Sequence, residues 1–109
     1  MDSGKLIHVI VDALEEIKAY DIDVIDVSKI TSMFGSIVIA SADSTRQTKS
    51  LAHNVQEKVK AAGGIIYGVE GEQTGEWLLV DTGDAVVHIM VPAAREYYNL
   101  KGLWHGENT

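Results

Sequence analysis

The chain has 109 residues, of which 46% are hydrophobic and 23% charged, and its formal net charge is −7. This length predicts a single domain over residues 1–109, and the composition is typical of a folded globular protein and excludes a disordered one. The excess of 16 acidic over 9 basic side chains argues against naked RNA or DNA as the main partner, because such binding depends on lysine and arginine at the phosphates.

The first elements that the sequence predicts are a helix and two strands. Residues 5–20 carry an apolar stripe at helical spacing, with acids mostly elsewhere, which is typical of an amphipathic helix. DIDVIDV, residues 21–27, mixes β-branched residues with acids over the length of a strand. SIVIASA, residues 36–42, is apolar enough for a strand covered on both faces. We expect both strands in one sheet.

The second predicted helix has recognisable start and stop signals. Ser44 and Gln47 have the spacing of a capping box, and Gly63-Gly64 supply a left-handed stop. Between them runs the predicted buried stripe, which consists of Leu51, Ala52, Val55, Val59 and Ala62. Because a helix start has free amides and Arg46 stands beside this one, anion binding is an alternative to simple capping.

A short strand and a hairpin are predicted after the second helix. IIYGVEG, residues 65–71, is typical of a short strand that runs into a loop, and residues 76–81 and 85–91 form the hairpin around the turn 82–84. Pro92 closes the last strand and suits the first turn of a short terminal helix, which an apolar tail follows. The order α-β-β-α-β-β-β-α predicts an α/β fold of the α+β type, a mixed sheet of about five strands with helices packed on it.

Gly35-Ser36 and Asp43 are the residues that suggest phosphoryl-transfer chemistry. Nucleotidyltransferases hold phosphates with a Gly-Ser pair and bind magnesium with paired carboxylates on the adjacent strand. The second carboxylate is missing here, because the residue two positions after Asp43 is Thr45. We therefore interpret Gly35-Ser36 as a turn into the strand, and keep a nucleotide-binding or nucleotidyltransferase-like enzyme as the alternative function.

The hairpin carries Asp81, Asp84 and His88, which are residue types found in metal sites and in acid–base sites. Because strand side chains alternate, His88 shares a face with Val86 and Met90, while the aspartates lie at the turn and just after it. The position of Asp84 beside a glycine favours a role in turn geometry, through a hydrogen bond from the backbone to its side chain. We predict no catalytic residue, no cofactor and no metal site.

Trp77 is the hairpin residue most typical of a binding surface. Strand alternation places it on one face with Leu79 and Asp81, and places Leu78 and Val80 on the other face. Only one of these faces need meet the core. An aromatic side chain beside acids on the outer face is a candidate anchor for a protein partner, and burial of Trp77 in the core is the alternative.

Acidic residues dominate the C-terminal part of the chain. Residues 65–109 contain seven acidic side chains and two basic ones. An acidic surface around an apolar patch suits a basic protein partner, whereas acids that only keep a small protein in solution are the alternative. Glu76, Asp81 and Asp84 are predicted to surround the apolar face with negative charge.

Several features of the sequence favour a cytoplasmic protein. Its longest apolar runs fall well short of the ~20 residues that cross a bilayer. The N-terminus has no basic region followed by an apolar core and a cleavage site, and the chain has no cysteine. We therefore expect cytoplasmic localisation.

Four segments of the chain together resemble the ribosomal silencing factor family, RsfS. They are S-x-R-Q at Ser44, Arg46 and Gln47, GVEG at 68–71, GEWLLVDTGDAVVHIM at 75–90 and REYYNLKGLW at 95–104. The resemblance extends from the first helix to Trp104, and the run from Gly-Glu-Trp to Val-Val-His is its most specific part.

The resemblance implies a cytoplasmic, non-enzymatic factor that binds ribosomal protein L-fourteen on the large subunit, blocks joining of the small subunit and lowers translation when nutrients are short. It also implies a homodimer and a fold similar to a nucleotidyltransferase core without the catalytic carboxylates. By resemblance, Trp77 is carried over as a contact with the ribosomal protein. To it we add Leu79, Asp81, Asp84 and Glu76, which follow from the strand face and the charge.

The chain departs from the family around the buried strand. Many members have an aspartate and an aromatic residue where this chain has Gly35 and Ser36, and a glycine where it has Ala42. These differences weaken the case for a shared site at this end of the strand and leave the hairpin unaffected. A further alternative is an obligate homodimer whose interface is formed by the hairpin itself.

Overall fold

The computed structural model describes residues 1–98, which contain three helices and five strands. In chain order these are α1 Ser3–Glu16, β1 Tyr20–Asp26, β2 Ser36–Ser41, α2 Thr45–Ala61, β3 Gly68–Glu70, β4 Trp77–Asp81, β5 Ala85–Met90 and α3 Pro92–Tyr98. The predicted order of elements is confirmed. The apolar tail predicted after the last helix, and the end of the REYYNLKGLW segment, lie outside the described residues.

The five strands form one mixed sheet in the order β1-β2-β5-β4-β3. Strands β2 and β5 are parallel, and the other three neighbouring pairs are antiparallel. The predicted burial of β2 on both faces is confirmed, because each residue from Ile37 to Ala40 is at most 1% exposed. An almost wholly apolar strand is stable only between two packed layers, so β2 fixes where both layers must lie.

Helices α1 and α2 cover one face of the sheet and build the larger core. Both are amphipathic, and their apolar stripes pack together on the sheet. The core includes Ile10 and Leu14 of α1, Leu51 and Val55 of α2, and Leu78 of β4, all with 0% exposure. Within residues 1–98 no helix is long and apolar enough to span a lipid bilayer.

Helix α1 is shorter than the sequence predicts. The prediction extended it to Tyr20, whereas it ends at Glu16 and Tyr20 begins β1. Lys18 reverses the chain with φ 64°, a left-handed conformation more often taken by glycine. The Gln47 side-chain amide donates to the carbonyl oxygen of Ile17 at 3.0 Å. A side chain from α2 therefore helps to close α1, which no local sequence signal reveals.

Helix α2 has the ends that the sequence predicts, with one difference in the cap. Ser44 Oγ accepts from the Gln47 backbone N–H at 3.1 Å. In a capping box Gln47 would bond the Ser44 amide in return, but here its Oε1 accepts from the amide of Asp43 at 3.2 Å. After the helix ends at Ala61, Gly63 has φ 92°, which confirms the predicted left-handed stop.

The opposite face of the sheet is covered only in part, by the segment between β1 and β2 and by α3. A second, smaller core forms there from Ile25, Val27, Ile37, Ile39 and Met90, with Phe34, Trp77 and Ala94 packed against it. This cover lies over β1, β2 and β5. Trp77 at the start of β4 packs against this cover, and the candidate site begins there and extends along the outer face of β4 toward β3.

Arg95 links α3 to the sheet by hydrogen bonds. Its Nη1 donates to Ser41 Oγ at 2.8 Å and to the backbone oxygen of Asp21, and its Nη2 lies 2.7 Å from Asp23 Oδ2. Because these partners come from β1 and β2, one guanidinium holds the short helix across two strands. The second core is thereby closed on the side away from β4.

Candidate functional site

A groove runs along the outer face of the hairpin, and we call it the hairpin groove. Its volume is about 540 Å³. Strands β3, β4 and β5 and the start of β2 form its floor, and the segment between β1 and β2 forms its wall. Its described lining residues are Met33, Phe34, Ile37, Glu70, Trp77, Leu79, Asp81, Gly83, Val86 and His88.

Strand alternation sorts the residues of β4 between the core and the groove. Leu78 and Val80 point into the helix-side core with 0% exposure, whereas Trp77, Leu79 and Asp81 line the groove. The predicted division of this strand into two faces is therefore confirmed. Trp77 is half-buried and packs against the second core, so it lies between the two alternatives of full burial and full exposure.

Two other residues of the predicted surface, Glu76 and Asp84, lie outside the groove lining. Glu76 precedes β4 and is exposed. Asp84 is exposed at the turn, and its carboxylate lies against Gly35, where an added Cβ would be 2.9 Å from an Asp84 oxygen. The structure therefore groups three of the five predicted residues in one groove and places the other two near opposite ends of the hairpin.

The turn of the hairpin is held by Asp81 and by Thr82, whose hydroxyl donates to the Ala85 carbonyl oxygen at 2.7 Å, and among residues 1–98 the Asp84 side chain does not make the predicted bond. The backbone N–H of Gly83 donates to Asp81 Oδ1 at 2.9 Å. Asp84 contributes its backbone oxygen, which accepts from the amides of Gly35 at 2.8 Å and Ser36 at 3.1 Å. The prediction was wrong because aspartate is favoured at either position of a turn, and residue type alone does not say which one bonds.

Trp77 and His88 form a hydrogen-bonded pair within the groove. Trp77 Nε1 donates to His88 Nδ1 at 2.9 Å, and the ring centroids are 5.7 Å apart. In the hairpin register Leu79 lies opposite His88 and Met90 lies opposite Trp77, so the two rings meet diagonally across β4 and β5. Diagonal neighbours on one face of a sheet are within reach of aromatic side chains.

Burial lowers the pKa of His88 from its usual 6.5 to about 4. Removal of the ring from water disfavours the charged imidazolium. Asp81 and Glu70 line the same groove, but desolvation is the cause of the shift. At neutral pH the groove therefore contains a neutral imidazole beside two acidic side chains.

The lowered pKa of His88 predicts a loss of stability in acid. Between pH 6.5 and pH 4 the unfolded chain binds a proton at His88 that the folded chain does not, so the free energy of unfolding falls as the pH falls. With partial solvent exposure taken into account, we expect this residue to cost on the order of 2 kcal/mol at pH 4. Urea unfolding measured from pH 7 to pH 4 should show the decrease.

The matched variant for this titration is His88→Phe, which cannot be protonated. Its free energy of unfolding should depend less on pH between 6.5 and 4 than that of the wild type. Equal slopes in the two proteins would contradict a buried, neutral His88.

The residues that suggested phosphoryl transfer are not brought together. Gly35 and Ser36 stand at the start of β2, and Asp43 follows its end. The six residues of β2 span about 20 Å at the usual rise of a strand. Asp43 Oδ1 instead accepts a hydrogen bond from the Tyr20 hydroxyl at 2.8 Å. Gly35-Ser36 leads into the strand, as interpreted from the sequence.

In the part of the chain that the structure describes, the fold brings no set of metal ligands together. No group of three or more His, Asp or Glu side chains within residues 1–98 is placed to hold a metal ion. His88 Nδ1 accepts from Trp77, and Asp81 Oδ1 accepts from Gly83. Two of the three side chains that suggest a metal or acid–base site, His88 and Asp81, thus make hydrogen bonds within the hairpin, and the third, Asp84, lies outside the groove.

Several groove residues were not identified from the sequence. Met33 and Phe34 come from the segment between β1 and β2, and Glu70 comes from β3. Met33 is 82% exposed, which is unusual for a large apolar side chain. Two consecutive apolar residues in a segment between strands were a usable signal, but only the fold places them beside the hairpin.

Comparisons with known proteins identify a family for this chain. The model of the family described as "Ribosomal silencing factor during starvation" matches residues 1–109. The "Ribosomal silencing factor RsfS" of Chromobacterium violaceum is 49% identical over 107 residues, which cover 98% of this chain and 88% of that protein. The mouse "Mitochondrial assembly of ribosomal large subunit protein 1" is 34% identical over 101 residues, or 90% of this chain and 44% of that one.

Solved structures agree with the sequence comparisons. A crystal structure of a Chromobacterium violaceum protein is similar to this chain with a TM-score of 0.94 and 48% identity, and the match covers 96% of this chain and 88% of that one. A crystal structure from Bacillus halodurans has a TM-score of 0.85 at 29% identity, over 94% of this chain and 95% of that one. The mixed sheet with its helices is therefore shared with these relatives.

Proposed function

Because the chain belongs to the ribosomal silencing factor family, we propose that it represses translation by binding the large ribosomal subunit. In this proposal it docks on ribosomal protein L-fourteen and sterically blocks joining of the small subunit. The hairpin groove is the docking surface. The names of the bacterial relatives support a silencing role on the ribosome, and the name of the mouse relative supports a link to the large subunit.

The observation that carries the proposal is the composition of the hairpin groove. Trp77 and Leu79 provide apolar surface on its floor, and Met33 adds a further apolar side chain at its wall. Glu70 and Asp81 provide negative charge in the same groove. An aromatic anchor with acidic neighbours suits a basic protein, because the apolar contacts give affinity while the charges orient the partner.

The size of the chain supports a steric mechanism. A standard protein interface takes about 800 Å² from each partner. The accessible surface of the chain is 6230 Å², so such an interface uses more than a tenth of it and leaves most of the molecule projecting from the docking point. A body of this size next to the subunit interface would exclude the small subunit without any chemical step.

The alternative function, a nucleotide-binding or nucleotidyltransferase-like enzyme, has less support. It requires Gly35-Ser36 and Asp43 to act on one substrate, and they lie at opposite ends of β2. Isothermal calorimetry with nucleoside triphosphates and magnesium separates the two functions. The docking proposal predicts no binding heat, and saturable heat would favour the enzyme.

The direct test of the proposal is a binding and joining experiment with purified ribosomal subunits. We expect the chain to cosediment with large subunits, to leave small subunits unbound, and to reduce formation of the joined ribosome in proportion to its occupancy. Isolated ribosomal protein L-fourteen should be captured by the immobilised chain. Binding to the large subunit without any effect on joining would contradict the steric mechanism.

Self-association needs its own measurement, since the family resemblance also implies a homodimer. Light scattering over a range of concentrations, with and without the ribosomal partner, separates self-association from docking. If the partner dissociates a dimer, the hairpin groove forms both the dimer interface and the docking surface. If dimer and partner coexist, the two surfaces are distinct.

A further inference from the structure

The hydrogen bond between Trp77 and His88 fixes the protonation of the histidine. An indole Nε1 carries a hydrogen and can only donate, so His88 Nδ1 must accept at the observed 2.9 Å. A ring that accepts at Nδ1 is neutral and carries its proton on Nε2. The geometry therefore sets both the charge and the tautomer of His88.

The same bond restrains the indole. The backbones of Trp77 and His88 are held in register by the pairing of β4 with β5. A hydrogen bond between two side chains on this rigid support limits the rotation of the tryptophan about its side-chain bonds. A tryptophan side chain that is already restrained in the free protein favours affinity, because less conformational entropy is lost when the partner binds.

We infer that His88 is a positioning residue of the docking surface, which holds the Trp77 indole against the groove and takes up its N–H so that the ring offers apolar surface to a basic protein partner. This inference rests on the proposed function. An indole N–H without an acceptor in a dry interface would weaken binding, and His88 removes that cost. Because the ring is neutral, it also avoids repulsion of a positively charged partner.

Two substitutions of nearly equal size test the role of the acceptor. Asparagine at residue 88 places its Oδ1 close to the position of Nδ1, whereas leucine has a similar shape and no acceptor. We expect His88→Leu to weaken binding to large subunits about tenfold and His88→Asn to stay within about threefold of the wild type. His53→Leu, an exposed position on α2, is the matched control and should bind like the wild type.

A purely structural role of His88 predicts a different result. Leucine at a half-buried strand position should be at least as stable as histidine in urea unfolding, so weaker binding by a stable His88→Leu protein points to positioning of Trp77. A double-mutant cycle tests whether His88 affects binding through the N–H of Trp77. Phenylalanine at residue 77 has no N–H, so His88→Leu should have no further effect on binding in a Trp77→Phe background.

The free protein gives an independent readout by nuclear magnetic resonance. The chain has two tryptophans, so Trp77→Phe assigns the Trp77 indole N–H signal. This signal should exchange slowly with water in the wild type and in His88→Asn, and should shift and exchange faster in His88→Leu. The nitrogen shifts of His88 should report the Nε2–H tautomer.

The outcomes separate this inference from the proposed function. If the wild type binds large subunits and His88→Leu binds them with the same affinity, the positioning role is overturned and the docking proposal stays intact. The same conclusion follows if His88→Leu loses as much affinity in the Trp77→Phe background as it does in the wild-type background. Absence of wild-type binding would overturn the proposed function and the role of His88 in it. An unchanged indole signal in His88→Leu would overturn the restraint whatever the binding data.

Discussion

Replacement of Trp77 by alanine is expected to weaken binding to the large ribosomal subunit by about 2 kcal/mol or more, which is roughly a thirtyfold increase in Kd. Trp77 is the largest side chain on the groove floor, and a small interface depends on few central anchors. Its removal takes away apolar contact area and leaves His88 Nδ1 without its donor. Cosedimentation with large subunits over a concentration series measures the change.

A matched control separates a lost contact from a damaged fold. Tyr67 is also aromatic and 65% exposed, but it does not line the hairpin groove. Tyr67→Ala should bind large subunits like the wild type. Both variants should be checked by circular dichroism and urea unfolding, since Trp77 also packs against the second core. Unchanged binding by a folded Trp77→Ala protein would rule out the hairpin groove as the docking surface.

Replacement of Gly71 by alanine is expected to lower the free energy of unfolding by about 3 kcal/mol or more. Gly71 has φ 89°, which is unfavourable for a residue with a Cβ. An added Cβ would also lie 2.1 Å from the backbone oxygen of Trp77, which cannot move without disturbing β4. Chemical denaturation of the purified variant measures the loss.

Two other glycines of the chain separate the cost of the left-handed backbone from the cost of the steric contact. Gly63 has φ 92° but nothing within 4 Å of an added Cβ, so Gly63→Ala should cost only the conformational part, about 1 kcal/mol. Gly68 has neither a left-handed φ nor a neighbour within 4 Å, so Gly68→Ala should stay within about 0.5 kcal/mol of the wild type. A loss at Gly71 no larger than that at Gly63 would show that the backbone contact with Trp77 is not rigid.

The parts of the fold that could be predicted are those that depend on local patterns. The uninterrupted apolar run of β2 required cover on both faces, and the alternation of Trp77 and Leu79 with Leu78 and Val80 assigned the two faces of β4. The α2 helix had a capping residue at one end and glycines at the other. In each case a short stretch of sequence contains both the signal and its physical cause.

The parts that could not be predicted depend on contacts between distant residues. The end of α1 relies on a left-handed Lys18 and on Gln47 of α2, which lies 29 residues further along. The pairing of Trp77 with His88 requires the exact register of the hairpin. Met33 reaches the groove only because its segment folds over the sheet. Residue type and spacing do not contain these facts, because they arise from tertiary packing.

The hairpin groove draws its lining from three separate stretches of the chain, the segment around Met33, strand β3, and the hairpin itself. No one of these stretches forms the groove alone, so the surface that we propose for docking exists only when the sheet and the segment between β1 and β2 are both folded. By mass action, a ligand that binds only the native state shifts the folding equilibrium toward it, by about 2.7 kcal/mol when its concentration is 100 times Kd. A chain attached to the ribosome would therefore resist unfolding and proteolysis better than the same chain free in solution, and its lifetime would be coupled to its occupancy.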